Sequence, residues 1–99
     1  MKALDLRTLQ ANAISVAEIL KALAHETRLR VICAIGDGER SVLDMAENLD
    51  VGQSCLSQHL AKMRNLGILE IRRDGNMIYY RIKDKRVLAL VLALKTNFC

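Results

Sequence analysis

Proline is absent from this 99-residue chain, and aromatic side chains make up only 3% of it. With no helix-breaking ring, and with leucine- and alanine-rich ends that favour helices, the fold class is expected to be mainly α. The hydrophobic fraction is nonetheless 52%, nearly all aliphatic. A single domain over residues 1–99 can hold one core, and so large an aliphatic surplus suggests burial against a second copy. No long apolar run occurs. The stretch 87–94 is far short of the ~20 residues a bilayer span requires. Residues 1–10 mix charge with apolar side chains and do not read as a signal sequence, so a cytoplasmic location is expected.

Paired cysteines are missing as well. Cys33, Cys55 and Cys99 are scattered, which excludes a zinc-ribbon or thioredoxin-type CxxC motif. In a reducing compartment a structural disulfide is not expected, leaving core packing or regulated thiol chemistry. Nor is there a catalytic constellation: no paired carboxylates and no phosphate-gripping glycine loop. Cys55 and His59 stand at i and i+4 but with no third group to complete a nucleophilic site. An enzyme is not expected, and no cofactor is implied.

What the chain does hold is a positive balance, +4 with a pI near 9.2, compatible with an anionic partner without specifying one. The first periodic run, 9–24, sets Leu9, Ala13, Val16, Leu20 and Leu23 on one stripe. A short helix follows in "HETRLRVICAIG", starting near Glu26 or Thr27, with Leu29, Ile32 and Cys33 inward and Gly36 near its stop. "DGE" reads as a turn. Ser41, with Asp44 three residues on, is a plausible N-cap for "VLDMAENL". Gly52 is expected to supply the next turn, and Gln53 to Leu66 the next helix, with Leu56, Leu60, Met63 and Leu66 as its buried stripe.

The opposite face of that helix carries Ser54, Ser57, Gln58, Ala61 and Asn65, and Gly67 ends it. Two alternating runs, "ILEIRR" and "NMIYYRIK", flank Asp74-Gly75, a strong hairpin signal. A turn centred there would set Ile71 opposite Ile78 and Leu69 opposite Tyr80. The last helix, 84–97, is apolar nearly all round, as a helix buried between subunits would be.

Two short helices joined by a glycine turn, then a basic two-stranded ribbon, describe a winged helix-turn-helix of order α-α-α-α-β-β-α. A helix that enters the major groove needs short polar groups for base edges and no carboxylate to repel phosphates. Gln53, Ser54, Ser57 and Gln58 meet both demands, and Lys62 lies one turn further on. The hairpin offers Arg72, Arg73, Asn76 and Arg81 to the flanking backbone. Singly, each element also suits a solvated helix or a charged hairpin; their order and spacing favour double-stranded DNA.

"LKALAHETRLRVICAI" followed by "SVLDMAENLDVGQSCLSQHLAKMRNLGILEIRRDGNMIYYRI" resembles the ArsR/SmtB family of bacterial repressors, over nearly the whole chain. The resemblance implies a homodimer joined through the first and last helices and bound to an inverted-repeat operator. It maps Gln53, Ser54, Ser57, Gln58 and His59 onto the recognition helix, and Arg73 and Asn76 onto the wing tip. Many such repressors bind a metal through cysteines in the third helix or Asp and His in the last. Here the third helix has no cysteine and the last no histidine or internal acid, so no metal site is expected.

The BigR, SqrR and HlyU type of the family is more similar, with one cysteine in the second helix and one at the end of the last. Cys33 and Cys99 occupy those places. The resemblance then implies redox-sensing thiols that reactive sulfur species or oxidants bridge, lowering DNA affinity. Cys55 departs from the pattern, as a small filler or an accessory thiol. A metal-responsive or positive-acting member of the family, or a winged helix that binds only proteins, is the alternative.

Overall fold

The computed structural model describes residues 5–98; Cys99 lies outside the described residues. The elements are α1 (Leu6–Leu23), α2 (Glu26–Ile35), β1 (Glu39–Ser41), α3 (Val42–Asn48), α4 (Gln53–Asn65), β2 (Leu69–Asp74), β3 (Met77–Ile82) and α5 (Lys85–Phe98). This is the winged helix-turn-helix arrangement, with α3 and α4 as the helix pair and the strands as the wing. None of the described helices is long and apolar enough to cross a membrane.

Local chemistry sets the helix ends. Ser41 accepts the amide of Asp44 at 3.1 Å and starts α3, as its spacing from Asp44 suggested. His25, rather than Glu26 or Thr27, caps α2: its Nδ1 accepts the Thr27 amide at 3.1 Å. Gly36 closes α2 with φ of 55°. An added Cβ there would lie 3.0 Å from the Lys95 ammonium, so α5 places a cation at the carbonyl end of α2, where the helix dipole favours it.

Three local expectations need correction. "DGE" is more than a turn, because Glu39 opens β1, which pairs with β3 to give a three-stranded antiparallel sheet of order β1-β3-β2. Three residues show no periodicity of their own; the pairing partner makes the strand. The turn before α4 takes its left-handed residue from Asp50, at φ 53°, while Gly52 is a helix N-cap at φ −55°. A short polar side chain tolerates that conformation, so glycine is not required for it.

The hairpin register is also displaced by two. Ile71 faces Tyr80, Leu69 faces Ile82 and Arg73 faces Ile78, with Gly75-Asn76 as the two-residue turn. Gly75, at φ 60°, stands first in the loop, the position where a II′ turn requires glycine. A shift of two preserves side-chain parity, so Leu69, Ile71, Tyr80 and Ile82 still share a face.

The core joins Val31, Ile32 and Ile35 of α2, Met45 of α3, Leu56, Leu60 and Met63 of α4, Ile68 and Leu69, and Val87 and Val91 of α5. Leu66 does not join it. At the residue after α4 the chain turns away, leaving Leu66 39% exposed. Nor does the α1 stripe reach the core along its length: Leu23 is buried, but Leu9 and Leu20 are about half exposed. A groove of about 230 Å³ between α1 and α5 is lined by Val16, Ile19, Leu20, Val87 and Leu90.

Candidate nucleic-acid interface and thiol site

Complete burial of Leu56, Leu60 and Met63 fixes the rotation of α4 about its axis. Gln53, Ser54, Ser57, Gln58 and Lys62 are consequently exposed on its outer side, with no acidic residue anywhere in the helix. Its first turn presents unpaired backbone amides and the positive end of the helix dipole. The wing tip stands opposite. Gln53 and Ser57 from α4 and Asn76 from the hairpin border one groove of about 350 Å³, with Val42 and Tyr80 also in its wall. Helix face and wing thus offer hydrogen-bonding groups on one concave surface.

The other predicted contacts divide. Arg73 and Asn76 are exposed at the tip. Arg72 is turned aside: its Nε lies 3.1 Å from both carboxylate oxygens of Glu39, and its guanidinium stacks 4.6 Å from the Tyr79 ring centroid. The Arg72 hydrogen bonds hold the Glu39 carboxyl below the usual range, and Glu39 in turn raises Arg72. Arg81 likewise donates to Glu70 at 2.7 Å. These two arginines brace the outer face of the sheet.

His59 departs furthest from its predicted role. Half-buried, it turns toward α2, where its Nδ1 accepts a hydrogen bond from Arg28 Nε at 3.1 Å. Its ring lies 4.6 Å from that of His25, tilted by 52°. Burial, then the charges of His25 and Arg28, hold its pKa below the ordinary 6.5. Arg28 also donates to the Ala22 carbonyl at 3.0 Å, tying the end of α1 to the same point. Lys62 lies beside a cleft it shares with Glu18, Lys21 and Arg28, not in the wing groove. Sequence alone singled out neither Arg28 nor Glu39, because their partners are 31 and 33 residues away.

Cys33 is half-buried on α2, and Cys55 is exposed on α4. Beside Cys33 opens an apolar cavity of about 420 Å³ between α2 and α5, lined also by Leu29, Arg30, Leu94 and Phe98. Phe98 immediately precedes Cys99 in the chain. Among the described residues, no three His, Cys, Asp or Glu side chains come together as a metal site.

An acid-free helix beside a β-wing is the reading head of DNA-binding winged-helix regulators, and that is the class this fold defines. Residues 25–70 match the family described as "Bacterial regulatory protein, arsR family". The chain is 40% identical over 91 residues to the "Biofilm growth-associated repressor" of Xylella fastidiosa, covering 92% of this chain and 80% of the relative. It is 32% identical over 96 residues to the "Transcriptional activator HlyU" of Vibrio cholerae, covering 97% and 89%. Among solved structures, reduced HlyU from V. cholerae superposes with a TM-score of 0.90 at 33% identity, covering 95% of this chain and 99% of that one. BigR from X. fastidiosa gives 0.85 at 38%, covering 97% and 98%. The chain belongs to the arsR family and, within it, to the branch of BigR and HlyU. It is a transcriptional regulator, not an enzyme.

Proposed function

We propose that this chain is a repressor that binds an inverted-repeat operator as a homodimer and releases it when reactive sulfur species or oxidants bridge Cys33 and Cys99. The observation that carries the DNA half is the common groove of Gln53, Ser57 and Asn76, framed by an acid-free helix and the wing tip. In this reading Gln53, Ser54, Ser57 and Gln58 meet base edges, while Arg73 and Asn76 hold the phosphates beside them. Arg72 and His59 act from behind, on the wing and on α4 respectively. The exposed apolar stripe of α1 and its groove against α5 supply the surface for a second copy.

Support for the thiol half is the cavity that Cys33 shares with Phe98, the residue before Cys99. With peroxide, two thiols give one disulfide, and their two electrons and two protons convert the peroxide to two waters. Closing such a bridge draws α5 and α2 together, and α2 contacts α4 through Arg28 and His59. The opposite sign of control is favoured by one finding: the V. cholerae relative is described as an activator. A DNA-bound regulator of either sign would use the same reading head.

The test begins with a duplex enriched from a randomised pool by the reduced protein. Fluorescence anisotropy should show tight binding by reduced protein and a loss of about tenfold or more after peroxide or persulfide treatment, within the range of allosteric couplings. The Cys33→Ser variant should bind regardless of treatment. Failure to enrich any duplex removes the DNA reading. Equal release of the Cys33→Ser variant removes the bridge.

A further inference from the structure

We infer that His59 is a positioning residue: its neutral ring latches the recognition helix to α2 through Arg28, and protonating that ring loosens the latch and weakens DNA binding. The inference rests on the operator-binding reading and assigns a regulation to its reading head.

The geometry has three parts. His59 Nδ1 is the acceptor for Arg28 Nε, so the ring carries its proton on Nε2. Arg28 also holds the Ala22 carbonyl, so one guanidinium joins the end of α1, the first turn of α2 and the middle of α4. The His25 ring packs against the His59 ring while its own Nδ1 caps α2. A proton on His59 Nδ1 would abolish the acceptor and set a cation against Arg28. Both changes push α4 away from α2, and the same α4 carries Gln53, Ser54, Ser57 and Gln58.

The surrounding charges agree with that direction. Burial disfavours a charged His59 most, and the charges of His25 and Arg28 add to it. Glu18 and Lys21 of α1 and Lys62 of α4 line the neighbouring cleft with Arg28. The charges that act on His59 come from α2; α3 and β2 enter the core beside α4 through Met45 and Leu69. A histidine whose folded-state pKa is depressed stabilises the fold above the ordinary 6.5, and that stability is lost as the pH falls through the folded value. Acid therefore attacks the latch.

The sign separates this role from direct contact. A histidine touching DNA would bind phosphates more tightly once charged, so acidification would strengthen the complex. The latch predicts weakening.

Affinity for the enriched duplex should fall severalfold between about pH 7.5 and about 5.5 at constant salt, and by less than about tenfold, because a single ring that titrates below its ordinary value can take up no more linkage than that by about pH 5.5. Circular dichroism would establish that the protein stays folded across that range. His59→Gln, which keeps an acceptor for Arg28 but does not titrate, should lose the slope. His25→Asn, which can still cap α2, should retain it. An affinity that rises or stays level on acidification overturns the proposal, as does a slope that survives His59→Gln or vanishes in His25→Asn.

A DNA-free arm keeps the two readings apart. In NMR the Arg28 Nε–H signal should exchange faster as the His59 ring titrates. Failure to enrich a duplex would sink the operator reading, and this titration would then decide the latch: an Arg28 signal indifferent to His59 overturns it.

Discussion

Glu39 and Arg72 meet across the outer face of the wing, with the Tyr79 ring stacked beneath the guanidinium. Their clasp is solvent-exposed, so it contributes more to local order than to global stability. Glu39→Gln should speed amide exchange in β1 and the hairpin while moving the thermal midpoint little. The carboxyl of Glu39 is depressed below 4.5, so the clasp acts fully above that value and is lost as the pH falls through the folded one. Any stability difference between wild type and Glu39→Gln near neutrality should therefore shrink steadily as the pH is lowered below the ordinary carboxylate value, measured by denaturant titration across that range. Gly75 gives a separate test. Nothing lies within 4 Å of an added Cβ, but φ is 60°, so Gly75→Ala should cost about 1–2 kcal/mol from backbone strain alone. A denaturation midpoint unchanged by that substitution would refute the II′ geometry.

At the scale of elements, α4 separates stability from recognition on its two faces. Leu60 is fully buried, and Leu60→Ala should cost about 2–5 kcal/mol in urea unfolding. Ser57 is exposed, so Ser57→Ala should change stability by less than about 0.5 kcal/mol while lowering affinity for the enriched duplex. Both faces were legible in the sequence because helical periodicity is local: four residues bring the stripe back to the same side. What failed was non-local. Leu66 keeps the spacing but follows the end of α4, where periodicity no longer applies. β1 exists only through its pairing with β3, and the direction of His59 depends on Arg28, on another helix. The hairpin itself was readable from its alternation, yet its register turned on whether Asp74 ends a strand or opens a loop.

Across the whole molecule, the long axis measures 47 Å against 27 and 21 Å. Leu6, Leu9, Ile14 and Leu20 of α1 leave an apolar surface that a single copy does not cover. If the proposed dimer forms through this surface, Leu20→Glu should yield a monomer in sedimentation velocity, with helix content retained and affinity for the enriched duplex reduced more than about tenfold, since two linked reading heads bind far better than one. A dimer of unchanged strength would move the interface elsewhere. Helix α2 carries Arg28 and Cys33 five residues apart, about 7.5 Å along its axis. If Cys33 is bridged and His59 titrates as proposed, acidity and oxidation act on one helix at neighbouring points. Two unrelated stresses would then converge on α2 before they reach the DNA, and release under both at once should exceed release under either alone.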